Sequence, residues 1–205
     1  MHPVPELFDG RLYDLLEASG EQARESIRLL AQFLADGGRS PGLVAEPASA
    51  GAKIADDIRA HLLQATVTSL PKADLEVLAR TLSAIPVAAE RFAERFGLAA
   101  GSLGGIDFSP DMNWVEELTE ILLDAVRQLR GFESLHRVKE LYSRLQKVAD
   151  RAEALIQEIV NRAHQNPSDP LDVLKVKDLG DRLTEIIDQC REAGGQMNRI
   201  SLQFL

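Results

Sequence analysis

Aromatic residues are scarce in this chain: they make up 5% of it, with one Trp and two Tyr. Alternating runs rich in Val, Thr and Tyr, of the kind strands need, are missing, so a strand-built fold is not expected. Cysteine is almost absent as well. Cys190 stands alone, so no disulfide can form within the chain, which agrees with a reducing cytosol. No apolar run approaches the roughly 20 residues that span a bilayer. The opening stretch, Met1 to Asp14, has no basic segment followed by an apolar one, so no secretory signal is read there. A soluble and, by default, cytoplasmic protein is expected. Positive charge is in the minority: 23 Lys and Arg stand against 32 Asp and Glu, a formal net charge of -9. Nucleic-acid binding rests on clustered Lys and Arg, so that class is disfavoured. Direct attachment to an anionic lipid surface is disfavoured for the same reason.

What the chain has in plenty is Ala, Leu, Glu, Arg and Gln, all helix formers. Apolar residues recur in steps of three and four, the spacing that lines one helix face. Six helices follow from those lines. The first runs from about Pro5 to Ala35 on Leu12, Leu16, Ala23, Ile27, Leu30 and Leu34, with Ser19 as a gap. It stops at Gly37-Gly38, and the Gly-, Pro- and Ser-bearing stretch Gly38 to Ala50 reads as a mobile loop. The second covers roughly Gly51 to Thr68, with Ile54, Ile58, Leu62 and Ala65 inward. The third starts after Pro71 and carries Leu75, Leu78, Leu82, Ile85, Ala89, Phe92 and Phe96, with Pro86 predicted to kink it. Ser109-Pro110-Asp111 predicts the fourth helix start, a capping hydroxyl followed by Pro and a carboxylate. Its line is Val115, Leu118, Leu122, Ala125 and Leu129. The fifth spans about Glu133 to His164, and the sixth follows Asn166-Pro167-Ser168-Asp169-Pro170 with Val176, Leu179, Leu183, Ile186, Cys190, Ala193, Met197 and Ile200.

The two halves match each other. Ile54-Ala55-Asp56-Asp57 aligns with Val148-Ala149-Asp150-Arg151, and Leu78, Leu82, Ser83 and Ile85 align with Leu179, Leu183, Thr184 and Ile186. Order of elements and turns agree too, which favours a repeat over chance alignment of Leu-rich helices. The expected fold is all-α: two pseudo-repeated antiparallel three-helix bundles. Residues 1–100 would form the first bundle, the Gly-rich stretch 101–109 a linker, and 110–205 the second bundle.

The ordered set of segments resembles the PhoU-like family of phosphate-transport regulators, nearer its divergent branch associated with Pit-type phosphate transporters. Leu12-Tyr13-Asp14-Leu15-Leu16-Glu17-Ala18-Ser19 is similar to the family's first helix. Ile54 to Leu62 and Val148 to Ile156 fall where its core helices carry acidic signatures, and Val176 to Phe204, with Leu183, Asp188, Gln189 and Cys190, resembles its last helix. The resemblance implies paired three-helix bundles that carry metal clusters and modulate phosphate uptake. The family's metal chemistry uses Glu or Asp followed four residues later by Asp, two carboxylates on one helix face that can bind hard cations or iron. In this chain Ala52 precedes Asp56, Gln146 precedes Asp150, Thr184 precedes Asp188, and Ser83 and Val87 replace a whole pair. No pair is complete. Asp56, Asp150 and Asp188 read as solvated helix-surface acids, with a weak residual site for divalent or ferric metal as the alternative.

Other groupings carry less. Glu133-x-x-His136 has no second copy, as a di-iron bundle requires. His61 and His164 have no second ligand at metal spacing. Cys190 lies on the apolar line of the last helix and reads as a core residue. Gly101 to Gly105 lacks the Lys and the preceding strand of a phosphate-binding loop. One stretch departs from the acidic balance: Arg137, Lys139, Arg144, Lys147 and Arg151, a solvated helix face or a docking surface for an acidic partner. The expected function is non-enzymatic, with no catalytic or cofactor-binding residues: regulation of phosphate transport through contact with a membrane transporter. A metal-binding helical protein and a generic helical interaction scaffold are the alternatives, and homo-oligomerisation stays open.

Overall fold

A computed structural model describes residues 10–66, 68, 70–99, 101, 103, 106–131, 135–165 and 170–203. The architecture is all-α, with no strand among the described residues. The helices are α1 (Gly10–Ala35), α2 (Ala45–Gln64), α3 (Lys72–Ala99), α4 (Met112–Gln128), α5 (Leu135–Gln165) and α6 (Pro170–Leu202). Each half is a three-helix set in which every pair touches: α1, α2 and α3, then α4, α5 and α6. The sets join through α1 against α4 and α3 against α6. Cross-helix partners run in opposite numerical order, as antiparallel packing requires. Glu17 meets Arg127 while Arg24 meets Glu120, and Asp178 meets Arg95 while Asp74 accepts from Gln196.

The apolar lines of α3, α4 and α6 are buried along their whole length. A single continuous core cluster passes through both halves. Helix α1 buries more than one line. Besides Leu16, Ala23 and Ile27 it buries Tyr13, Ser19, Gly20, Ser26 and Phe33, because it faces α2 and α3 on one side and α4 on the other. Gly20 permits the second contact: a Cβ there would lie 3.2 Å from Leu123 Cδ1. In α5, Leu155 is only half-buried and Ile156 takes the core position.

Three boundaries differ from the sequence expectation. Residues 5–9, expected to begin the first helix, lie outside the described residues. Helix α2 begins at Ala45 rather than Gly51, preceded by a 3-10 turn at Pro41–Val44. Pro47 is tolerated because it sits in the first turn, where amide hydrogens have no intrahelical acceptor. The helix also ends earlier, at Gln64, with Ala65 extended. At the start of α4 the cap is not Ser109. Ser109–Asp111 forms a 3-10 turn, and the Asp107 carboxylate accepts from the Ser109 amide at 2.8 Å. The expected linker is partly anchored, with Leu103 and Phe108 in the core.

The end of α1 follows its glycines. Gly37 and Gly38 adopt φ of 68° and 79°. The Gly38 amide donates to Phe33 O and the Gly37 amide to Leu34 O, each at 2.9 Å, which is the paired 6→1 and 5→2 closure that favours glycine. Helix α3 runs unbroken through Pro86, whose ring is buried opposite Gly51 of α2.

Candidate functional site

Two groups of residues draw attention: the three motif aspartates, and the basic face of α5.

Asp150 and Asp188 come together across the α5–α6 seam, and a guanidinium lies between them. Arg191 on α6 donates through Nη2 to Asp150 Oδ1 at 2.8 Å and to Glu153 Oε2 at 3.0 Å, and through Nη1 to Glu153 Oε1. Asp188 Oδ1 lies 3.6 Å from Nη1. The Arg191 side chain is 21% exposed, against 72% for Asp150 and 60% for Asp188. The cation is therefore the sheltered member and the acids rim it. The hydrogen bonds that the guanidinium donates to Glu153, and then to Asp150, hold it well above its ordinary pKa. Glu153 was not singled out in the sequence, although its spacing of three from Asp150 places both on one face.

Asp56 occupies the corresponding middle helix of the first half and is also exposed. It pairs with Arg59 Nη1 at 3.2 Å, and Arg59 Nε reaches Glu76 of α3 at 3.5 Å. Each of the three motif aspartates thus has an arginine of its own chain beside it. A metal ion brought to Asp150 and Asp188 would meet the Arg191 charge at the same oxygens. Hard cations need about six oxygen ligands, and among the described residues no group of three or more His, Cys, Asp or Glu is arranged to hold a metal. The described residues around these aspartates do not fit a metal cluster.

The basic face is built on α5. Arg137, Arg144, Lys147 and Arg151 are exposed, and steps of seven, three and four put them on one stripe. Arg144 donates to Glu117 of α4. The Arg151 guanidinium lies over the Trp114 ring, 5.3 Å from its centroid, within cation–π range. Trp114, Glu117, Arg144, Lys147, Val148 and Arg151 line a groove of about 400 Å³. Arg144 and Glu117 also border a second groove of about 680 Å³ between α1 and α4, where Arg24, Arg28, Glu25, Glu116 and Glu120 gather. Glu25 is held below the usual carboxylate range by its hydrogen bond from Arg28. Glu116 is raised by burial and then by its neighbour Glu120.

The remaining sequence candidates resolve simply. Cys190 is fully buried on α6, and burial pushes its thiol up to about 12, which suits an inert core residue. His164 Nδ1 lies 2.8 Å from Val160 O. Glu133 lies outside the described residues. No helix of the described residues is long and apolar enough to cross a membrane.

No protein-family model matches the sequence, and no curated protein matches it. Solved structures do. A PhoU-like protein from Shewanella oneidensis MR-1 superposes with a TM-score of 0.75 at 13% identity, covering 94% of this chain and 99% of that one. A PhoU-like phosphate regulatory protein from the same organism gives a TM-score of 0.78, with the same identity and coverage. At that identity the likeness is one of fold. It extends over almost the whole of both chains, and the six-helix bundle described above is the PhoU-like fold.

Proposed function

We propose that this chain is a non-enzymatic accessory protein of inorganic phosphate transport, acting on the cytoplasmic side through contact with a membrane phosphate transporter of the Pit type. The observation that supports this reading is the whole-length fold match to a PhoU-like phosphate regulatory protein. The candidate partner surface is the α5 stripe of Arg137, Arg144, Lys147 and Arg151, since a complementary acidic segment of a partner can steer association there. The sequence resemblance to the Pit-associated branch points the same way. The test is deletion of the gene in its host, measurement of phosphate uptake, and crosslinking with identification of the captured protein. Altered uptake and capture of a phosphate transporter are expected. Unchanged uptake with no transporter captured would overturn the reading.

A second reading, a helical interaction scaffold or homo-oligomer, has its own observation. Leu98, Leu171 and Leu174 are 81%, 60% and 63% exposed and share a groove of about 480 Å³ where the end of α3 meets the start of α6. Clustered exposed leucines favour a protein contact. Oligomeric state in solution, compared between the native chain and Leu98→Glu/Leu174→Glu, tests it.

A further inference from the structure

Helix α5 is the only one of the six helices whose Lys and Arg outnumber its Asp and Glu. Two of its acids, Asp150 and Glu153, are engaged by Arg191 of α6. Asp150 stands three residues from Lys147, a spacing at which it could pair with that lysine, but its partner is Arg191. Among the described residues no carboxylate forms an ion pair with Arg137, Lys147 or Arg151, and Arg151 rests on the Trp114 ring instead. An acidic protein thus displays Lys147 and Arg151, which have no ion-paired carboxylate among the described residues, beside a half-buried tryptophan, its only one, while Arg144 on the same groove is paired with Glu117.

We propose that this face, centred on Trp114, is the docking surface for an acidic protein segment that carries one apolar anchor side chain. The proposal deepens the reading of the α5 stripe as a partner surface and rests on it, without requiring that the partner be a transporter. Charge selects the partner. On a chain of net charge -9 an acidic segment is repelled broadly and attracted at α5, which fixes where it lands as well as how fast. The groove selects the anchor. Trp114 and Val148 supply an apolar floor, and aromatic residues in such pockets carry a large share of interface energy. The rim cations Lys147 and Arg151 then meet the carboxylates on either side. A bare polyanion would use the rim and leave the floor unused.

Because Trp114 is the sole tryptophan, its emission reports on the groove directly. The full chain is titrated with a short synthetic Glu- and Asp-rich peptide bearing a single Leu, with the same peptide lacking the Leu, with inorganic polyphosphate, and with phosphatidylglycerol vesicles. A saturable, salt-weakened change in emission is expected for the Leu-bearing peptide, with clearly weaker binding when the Leu is absent. Lys147→Glu/Arg151→Glu should weaken it by about tenfold or more, while Arg199→Glu on α6 leaves it unchanged. The double variant should in turn bind a Lys-rich peptide with the same Leu, a gain that a misfolded variant cannot show. No response to the acidic peptide, equal loss in Arg199→Glu, or a response confined to polyphosphate or vesicles overturns the proposal. Peptide binding together with unchanged phosphate uptake in the deletion strain overturns the transport reading and leaves the docking surface standing. Altered uptake without peptide binding does the reverse.

Discussion

At Arg191 one side chain holds two helices. Its guanidinium is bidentate to Glu153 and also meets Asp150, both on α5. Removing it leaves Asp150, Glu153 and Asp188 without the guanidinium that they share. Exposed ion pairs contribute about 0–1 kcal/mol and breaking a buried pair costs about 3–5 kcal/mol. A guanidinium that is 21% exposed belongs between, so Arg191→Ala is expected to destabilise by about 1–2 kcal/mol in urea unfolding. Divalent cations should leave the native melting point unchanged and partly restore the variant's. Glu116 gives a pH dependence of the opposite kind from a paired acid. Its folded pKa is raised, so the folded state holds this proton more tightly than the unfolded state does. Its contribution therefore falls as pH rises through the shifted range and improves as pH drops. Glu116→Gln should raise stability at neutral pH by less than about 1 kcal/mol, and the gain should shrink on acidification in melts recorded across the carboxylate range. Cys190, with its thiol pushed up to about 12, should resist iodoacetamide at mildly alkaline pH until denaturant is added. Rapid native alkylation would contradict its burial.

Glycine decides how closely elements approach, and it does so unequally along the chain. On α6 a Cβ at Gly180 would lie 2.8 Å from Val160 Cγ2 and 3.3 Å from Ile156 Cγ2 of α5, and one at Gly194 would lie 3.0 Å from Leu145. Val160 is β-branched and its methyl cannot swing aside cheaply. Gly180→Ala should therefore destabilise by about 1–3 kcal/mol, exceeding the gain of about 1 kcal/mol in helix propensity. Gly97 on α3 has nothing within 4 Å of the same position, so Gly97→Ala should stabilise by about 0.5–1 kcal/mol. Thermal melts of the two variants should move in opposite directions. These roles were not legible in the sequence, where Gly180, Gly194 and Gly195 fall beside the apolar line of the last helix rather than on it. What was legible is what periodicity encodes: the seams of α3, α4 and α6. The start of α2 was obscured because Pro41, Gly42 and Pro47 look like loop composition, and first-turn proline becomes evident only once the helix is seen. The site was half legible. The resemblance to the PhoU-like family drew attention to Asp150 and Asp188, but their meeting at Arg191 depends on the register of α5 against α6, which sequence spacing within either helix does not contain.

Whether the chain behaves as one body or two depends on what the seam between the halves contains. The repeat in the sequence suggests two units, yet α1 and α3 each bury residues against the other half. Gly20 and Leu123 bring α1 close to α4, and a single cluster of buried side chains passes through both sets. Along the same seam Glu17, Arg127, Arg130 and Asp14 link α1 to α4, while Arg95 with Asp178 and Arg91 with Glu185 link α3 to α6. Those ion pairs are exposed and fix alignment more than they stabilise; the apolar contact supplies the affinity. Leu103 and Phe108 in the connection are buried, so the joining segment contributes to the core as well as tethering. It follows that cutting the backbone between the halves should not release them. With a protease site inserted at Gly104-Gly105, the cleaved chain should elute from a sizing column at the position of the intact one, and the halves should separate only in denaturant. Residues 1–100 produced alone should expose the α4-facing side of α1 and the α6-facing side of α3, and should aggregate or self-associate. Cleaved halves that part at micromolar concentration, each keeping full helicity and a cooperative melt, would mean that the shared core is an incidental contact between two independent bundles.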